Sequence, residues 1–211
     1  IKSTCKKIGA VLIFDEITSG FHDNLGGKHL DLGINPDVAI FSKAMGNGYP
    51  IAAIIGKKNI MNVAQDTFLS STMWTERIGF VAALATIQKM KQYNVQKFLV
   101  RYGKKIKDGL KKISKDKKVN IVISGLDSIP RFDFVYKNKL EISTFFTQEM
   151  LKRGFLAQQT NAMTYSYSDK IINNYLDATD SVFKQINKYI LNKKKFPLKG
   201  PVKHSNFKRL T

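Results

Sequence analysis

Two short apolar runs, each followed by an ionisable residue, are the feature that most constrains this chain. Residues 11–14 precede Asp15 and residues 38–42 precede Lys43, with glycine-containing turns after each. Such runs are typical of buried parallel strands, whose carboxyl ends line the ligand crevice of open α/β sheets. An acid and an amine at that edge predict a cofactor that has a cationic ring nitrogen and an aldehyde.

Composition narrows the class of protein. The 211 residues are 43% apolar, which is enough for one or two domains with a core. We expect no membrane association, because no run of about 18 apolar residues occurs. The start of the chain has no signal-peptide pattern, and Cys5 is the single cysteine. We therefore expect a cytosolic location.

The net charge of +19 reflects 35 Lys+Arg against 16 Asp+Glu. Such an excess is typical of proteins that bind nucleic acids or anionic surfaces. Here the cations are mostly lysines on helical patterns, without the interleaved aromatics and arginines of base-stacking surfaces. We therefore expect a solvated lysine-rich surface, with nucleic-acid binding as the less favoured alternative.

The first part of the chain predicts three short buried strands, joined by loops. The first has five or six residues and ends at Asp15, the second spans about 38–42, and the third spans 51–55, with residues 17–37 as a loop. Three such strands cannot form a free-standing α/β sheet. The pattern predicts that they end a larger sheet, whose earlier strands and covering helices lie outside this chain.

The second part of the chain alternates helical and strand-like patterns. Helices are predicted at about 76–93, 96–113, 142–153 and from Ser168 or Asp169 to about 190, and short strands at 119–124, 132–136, 155–158 and 164–167. The lysine-rich chain after Asn192 is expected to be extended or loosely attached. The predicted domains are 1–100, with a linking helix to about 114, then 115–192, then a basic tail 193–211.

Three strings carry a resemblance to a known family. FDEITSGF, GINPDVAIFSKAMGNGYPIAAIIG and SSTMWTERIGFVAALATI resemble the class III pyridoxal-phosphate-dependent aminotransferases, within them the glutamate-1-semialdehyde 2,1-aminomutase-like branch. The resemblance runs from about Gly9 to Leu191 and covers the second half of the family's usual length. It implies a fold-type I α/β transferase: part of the large α/β domain and the C-terminal α+β small domain. The family's phosphate loop and ring-stacking aromatic would lie outside this chain.

The resemblance implies pyridoxal 5'-phosphate as cofactor and a role for each site residue. Asp15 matches the carboxylate that stabilises the protonated ring nitrogen, and Lys43 matches the lysine that forms the Schiff base and moves the proton. Thr72, with Ser71 beside it, matches the threonine that binds the cofactor phosphate of the neighbouring subunit, which implies a homodimer. The alternatives are a loop-capping Asp15, a surface Lys43 and a helix-capping Thr72. No metal site is expected.

Several nearby residues receive secondary interpretations. Glu16 is predicted to be structural and His22 to make a surface or interface contact. Gly46 and Gly48 are expected to permit close backbone approach near Lys43. Trp74 either lines the substrate entrance or packs at the dimer interface.

The sequence leaves the substrate open. Relatives that act on ornithine or γ-aminobutyrate carry a carboxylate-binding arginine before the final helix, and residues 160–167 contain none, which favours the aminomutase-like branch. Residues 74–77, Trp-Thr-Glu-Arg, depart from the Ser-Asn-Pro type string of true aminomutases. We therefore predict amino-group transfer between a small amino donor and a carbonyl acceptor: an amino acid, an amino sugar or a small aldehyde. Arg77 and Arg131 are candidates for an anionic substrate group or for surface ion pairs.

Two alternatives to that function stay open. The first is glutamate-1-semialdehyde 2,1-aminomutase, in which the amino group stays on one carbon skeleton. The second is a catalytically incomplete fragment or a basic binding module.

Overall fold

The computed structural model describes residues 1–70 and 72–204, and the chain divides into two compact units. The first unit runs from Ile1 to Phe98 and the second begins at Leu99. The boundary lies inside helix α5, Val95–Lys117.

The first unit contains a three-stranded sheet of order β1-β2-β3. Strands β1 (Ile13–Asp15) and β2 (Val38–Phe41) are parallel, whereas β3 (Ala53–Gly56) is antiparallel to β2. Only β2 is largely buried. The prediction of three buried strands is therefore wrong for β1 and β3, because each is an edge strand with exposed side chains.

Four α-helices come before, between and after these strands in the described part of the first unit. They are α1 (Lys2–Ile8), α2 (Lys28–Asp31), α3 (Lys58–Met61) and α4 (Arg77–Tyr93), and 3-10 turns lie at Lys43–Met45 and Asn62–Asp66. The prediction for α4 is confirmed, and the Glu76 carboxylate caps it by accepting a hydrogen bond from the Ile78 N–H at 3.1 Å. Helix α1 was not predicted, because it buries no residue and has no side-chain cap. Its one local signal is Gly9, which ends the helix at φ 69°.

The core of the first unit lies between β2 and α4. Phe41 from β2 and Ala83 from α4 are buried together with three other residues, Phe21, Ala39 and Met45. Partly buried side chains from α4 complete this cluster, among them Ile87 and Met90. The end of β2, where Lys43 follows, is thus fixed by packing.

The second unit is an α+β arrangement with an aromatic core. A hairpin of β4 (Ile121–Gly125) and β5 (Pro130–Phe134) is followed by α6 (Lys139–Leu151) and α7 (Asp169–Leu191). Ser168 caps α7 by accepting a hydrogen bond from the Ile171 N–H, as predicted. The fully or almost fully buried core side chains include Phe132, Phe134, Ile142, Phe145, Phe146, Val182, Phe183 and Ile186.

Two predicted strands are wrong. Residues 155–158 and 164–167 are not strands. The chain between these two segments pairs with β5 instead, through an isolated bridge from Arg131 to Thr160. The Phe132 N–H donates to the Gln159 carbonyl at 3.0 Å and the Asn161 N–H donates to the Pro130 carbonyl at 2.9 Å. The pairing is too short for the alternating side-chain pattern that marks a longer strand.

The described part of the tail, residues 193–204, contains no helix or strand but is not loosely attached. Phe196 is buried, and its ring lies 5.1 Å from that of Phe145. The Gln148 amide donates to the Pro197 carbonyl at 3.0 Å and accepts from the Lys199 N–H at 2.7 Å. One buried aromatic in a lysine-rich segment was too weak a signal to predict this docking. No helix among the described residues has the length and apolar character to cross a membrane.

Candidate active site

Asp15 and Lys43 lie at the same end of the sheet, where the carboxyl ends of β1 and β2 meet. Asp15 ends β1 and stands opposite Ile40 in the parallel pairing, and Lys43 follows β2 after Ser42. Parallel strands bring their carboxyl ends together, so the two residues share one rim of the sheet. Both are exposed in this chain.

The backbone at Lys43 has an uncommon conformation. Its φ is 45°, in the left-handed region that a residue with a long side chain seldom adopts. Packing on both sides maintains it: the Ser42 hydroxyl donates to the Ile51 carbonyl at 2.7 Å, and a Cβ at Gly46 would lie 2.3 Å from the Tyr49 carbonyl oxygen. The close approach expected at Gly46 is therefore confirmed. The same expectation is wrong for Gly48, where nothing in the described part of the chain lies within 4 Å of a Cβ. Left-handed residues that the surrounding structure enforces occur often at functional sites.

The Lys43 side chain meets a residue that sequence reasoning missed. Its Nζ donates a hydrogen bond to the Thr18 hydroxyl at 2.6 Å. Thr18 comes three residues after Asp15, in the turn that leaves β1. The sequence did contain a signal for it. Thr18 is a hydroxyl residue between Asp15 and Gly20, in a turn that has to fold back toward the end of the neighbouring strand.

Glu16 is the buried anchor of that turn. Its side chain is 1% exposed, and its carboxylate accepts hydrogen bonds from the Ser19 hydroxyl and from the His29 backbone N–H at 2.9 Å. The His29 ring nitrogen Nδ1 lies 3.0 Å from the same carboxylate. Burial raises the pKa of Glu16, but the hydrogen bonds from Ser19 and His29 together outweigh it and the pKa is lowered. The prediction that Glu16 is structural agrees with this burial.

Comparison with known proteins decides the family. The family model described as aminotransferase class-III matches residues 1–190. The chain belongs to this family. Its members among curated proteins include the 3-aminobutyryl-CoA aminotransferase of Cloacimonas acidaminovorans, which is 36% identical over 135 residues, or 64% of this chain and 33% of that protein. The glutamate-1-semialdehyde 2,1-aminomutase of Clostridium kluyveri is 32% identical over 173 residues, covering 73% of this chain and 40% of that protein.

Solved structures show the same fold. The internal aldimine form of the FumI protein of Sphingopyxis sp. MTA144 superposes with a TM-score of 0.84 at 23% identity, over 92% of this chain and 48% of that chain. A transaminase with PLP bound gives a TM-score of 0.81 at 18% identity, over 89% and 47%. This confirms the expected fold class, the fold-type I transferase fold. The class III chain spans less than half the length of these relatives.

The residues expected to bind the phosphate are less defined. Thr72 is exposed in the turn before α4, and no described hydrogen bond joins it to Asp15 or Lys43. Ser71 lies outside the described residues. Trp74 and Arg77 are also exposed. Their roles stay predictions.

The surface or interface contact expected of His22 stays a prediction. His22 is half-buried, burial lowers its pKa against the charge of Asp23, and its Nδ1 has no partner among the described residues. In the second unit, Arg131 donates to both carboxylate oxygens of Asp133, at 2.8 and 2.9 Å, and this pair raises the pKa of Arg131. Arg131 is therefore a surface ion-pair partner, the alternative left open by its sequence.

The residues at the rim of the sheet fit pyridoxal 5'-phosphate. An amine with a neutral hydroxyl partner is free of an ion pair that would block reaction with an aldehyde, and a carboxylate at the same rim suits a cationic ring nitrogen. Gly46 and the left-handed conformation of Lys43 place the backbone of the lysine on a tightly packed turn. In the described part of the chain, no group of three or more His, Cys, Asp or Glu side chains is arranged to bind a metal ion.

Proposed function

We propose that this chain carries part of the active site of a class III enzyme that transfers amino groups with pyridoxal 5'-phosphate. The observation that supports it most is the placement of Asp15 and Lys43 at one rim of a parallel strand pair, in a chain of that family. Lys43 would hold the cofactor aldehyde, Asp15 the ring nitrogen, and Thr72 with Ser71 the phosphate of the neighbouring subunit.

The bound cofactor would supply an electron sink for the substrate carbon. The protein's share is positioning and proton transfer. The Asp15 carboxylate would stabilise a positive ring nitrogen, and the Lys43 amine would carry a proton from the substrate carbon to the C4′ carbon of the cofactor. The tight turn at Ser42–Gly46 keeps the backbone of Lys43 at the sheet rim.

The substrates belong to two classes. We propose a small amino donor and a carbonyl acceptor, which accords with the relative named 3-aminobutyryl-CoA aminotransferase. The aminomutase is the second candidate, since several relatives carry the name glutamate-1-semialdehyde 2,1-aminomutase and residues 160–167 lack arginine. Conversion of glutamate-1-semialdehyde without an added acceptor separates them: an aminomutase consumes it, and a transaminase of other substrates does not.

A homodimer is part of the proposal. Helix α4 leaves Ile78, Val81 and Leu84 more than half exposed at spacings of three, and Trp74 before it is 59% exposed. Contiguous apolar surface of this kind marks an interaction site, and a second copy would cover it. Light scattering of the purified protein should give twice the chain mass, and Val81→Glu should shift it toward one chain mass.

The proposal also includes a domain assignment and a location in the cell. We assign the first unit to the large cofactor-binding domain and the second to the small domain. We also propose a cytosolic location, supported by the single Cys5, and cell fractionation tests it.

Covalent trapping tests the cofactor role. We expect the protein, mixed with pyridoxal 5'-phosphate and reduced with borohydride, to carry the pyridoxyl adduct on the Lys43 peptide in mass spectrometry. Lys43→Ala should lose it, because this change removes the amine that is proposed to react. Lys58→Ala, which removes an exposed lysine at the start of α3, is the matched control and should retain it.

Two results contradict the proposal. An undiminished adduct in Lys43→Ala would mean that Lys43 is not the reactive amine. No adduct in the unmodified chain, together with nucleic-acid binding that weakens steeply with salt, would favour the basic binding module.

A further inference from the structure

We propose that Thr18 is a positioning residue that holds the Lys43 amine at the sheet rim whenever that amine is not covalently engaged. This inference rests on the proposed function, since it assigns Thr18 a task in the use of Lys43. It goes beyond that function because neither the sequence motif nor the family match assigns the threonine.

The Lys43 amine needs such a holder. Its side chain is exposed, and a lysine has a flexible stem with many rotamers of similar energy. Among the described residues its hydrogen-bond partner is the Thr18 hydroxyl, at 2.6 Å, and none of the described ion pairs includes it. The threonine therefore selects one position for a group that would otherwise sample many.

The type of partner suits a nucleophile. A carboxylate at this position would hold the amine in an ion pair, which has to break before the nitrogen attacks a carbonyl carbon. A hydroxyl accepts one hydrogen bond without adding a charge, and the bond is given up more easily. Lys57 offers a contrast in the same unit, because its amine pairs with the Asp37 carboxylate at 2.7 Å.

The Thr18 backbone is itself held in place. The turn closes through the Gly20 N–H, which donates to the Glu16 carbonyl at 2.8 Å, and the Ile17 N–H donates to the Asp15 carboxylate at 3.0 Å. A Cβ at Gly20 would lie 2.6 Å from the Phe41 ring, so the turn packs directly on β2. Thr18 thus stands on a turn bound to both strands that carry the site.

A buried network anchors the two sides of Thr18. Glu16, two residues before it, is held by the His29 backbone and ring, and Ser19, directly after it, donates to the Glu16 carboxylate. His29 in turn packs its ring against Phe14 at 5.8 Å. The turn that carries the exposed Thr18 hydroxyl is therefore held in place by the hydrogen bonds of the buried Glu16.

The rate of covalent trapping tests the proposal. The Lys43 nitrogen condenses with the aldehyde of pyridoxal 5'-phosphate and releases water, and borohydride then delivers hydride to the C=N bond and leaves a stable secondary amine. Samples of the intact protein are reduced at successive times, and the modified Lys43 peptide is quantified by mass spectrometry. Thr18→Val keeps the shape of the side chain and removes the acceptor, so trapping should slow about fivefold, the factor that one typical hydrogen bond represents.

Two further variants separate positioning from a structural effect. Thr18→Ser restores the hydroxyl and should restore the trapping rate. Thr67→Val removes a threonine hydroxyl that bonds the Ala64 carbonyl in the same unit, and should trap at the unmodified rate. Thermal unfolding of all three variants should match that of the unmodified chain.

The outcomes distinguish this inference from the function on which it rests. Slow trapping in Thr18→Val with recovery in Thr18→Ser supports it. Equal rates in the valine variant and the unmodified chain, or no recovery in the serine variant, would overturn the role of Thr18 and leave the function of Lys43 standing. An unmodified chain without any Lys43 adduct would overturn both.

Discussion

The two compact units differ in how completely each covers its own apolar residues. In the second unit the rings of Phe132, Phe146 and Phe183 are wholly buried against one another. In the first unit Ile54 and Ile55, adjacent on β3, are 56% and 55% exposed. Because adjacent strand residues point to opposite faces, both faces of β3 are uncovered.

This difference separates stability from function. The second unit has a closed aromatic core, whereas the first unit has the candidate site residues on a sheet that packs fully only around β2. Segments that bind ligands commonly come from the less stable parts of a protein. The first unit gains more than the second from any chain segment, cofactor or second subunit that covers it.

The largest expected effect comes from the closed core. Phe132→Ala removes a ring that lies 5.4 Å from both Phe134 and Phe146, and should lower the free energy of unfolding of the second unit by about 3–5 kcal/mol. Phe80→Ala, on the exposed side of α4, is the matched change in the first unit and should cost less than about 0.5 kcal/mol in the Val81→Glu background, where the proposed second copy no longer covers α4. Hydrogen exchange in urea, read by mass spectrometry for each unit, measures both.

Equal losses for the two phenylalanines would contradict the comparison. They would mean that Phe80 is covered in solution by a partner, in which case the loss at Phe80 should shrink on dilution while the loss at Phe132 stays constant.

An effect of intermediate size, the pH dependence of stability, is expected from two buried carboxylates, one in each unit. Glu16 in the first unit accepts mainly from Ser19 and His29, while Glu149 in the second accepts from Lys152 and, at 3.3 Å, from Arg153. Burial raises the pKa of each, and the hydrogen bonds and charges lower it further than burial raises it. A lowered pKa stabilises the folded state above the unfolded value of 4.5, and this stabilisation is lost as the pH falls through the folded value.

The two carboxylates can be tested one at a time. Glu16→Gln should cost the first unit about 1–3 kcal/mol at pH 7 and reduce the difference between its stability at pH 7 and at pH 3, with the second unit unchanged. Glu149→Gln should do the reverse, and its cost should fall in high salt because its partners are cations. If the first unit keeps its full pH dependence in Glu16→Gln, and the second unit keeps its own in Glu149→Gln, other carboxylates cause that dependence.

The sequence predicted those features that local patterns encode. The exits of β1 and β2 at Asp15 and Lys43 follow from apolar runs, and the cap of α7 is Ser168, one of the two residues predicted for it. Helix α4 lies where it was predicted, although its cap is Glu76 and not Thr72. Such signals lie within a few residues of the element that they define. Family resemblance then supplied the meaning of the two ionisable residues.

What was missed depends on contacts between distant residues. Thr18 reaches Lys43 across 25 positions, and Phe196 docks on Phe145 across about fifty. Neither partner changes the local pattern of the other, so no periodicity reveals the contact. Helix α1 was missed for the opposite reason: it buries nothing, so no apolar period marks it.

The smallest effect tests whether the two units differ in cooperativity. Ser168→Ala removes the cap of α7 and should cost about 1 kcal/mol, and Glu76→Ala removes the cap of α4 at a similar or smaller cost. Helix α7 buries Ile172, Val182 and Ile186 in the closed core, so loss of its cap should lower hydrogen-exchange protection throughout the second unit. Helix α4 buries only Gly79 and Ala83, so its first turn should fray while the sheet keeps its protection. Uniform loss across the first unit in Glu76→Ala would mean that α4 and the sheet unfold together, and that the open apolar surface does not weaken their coupling.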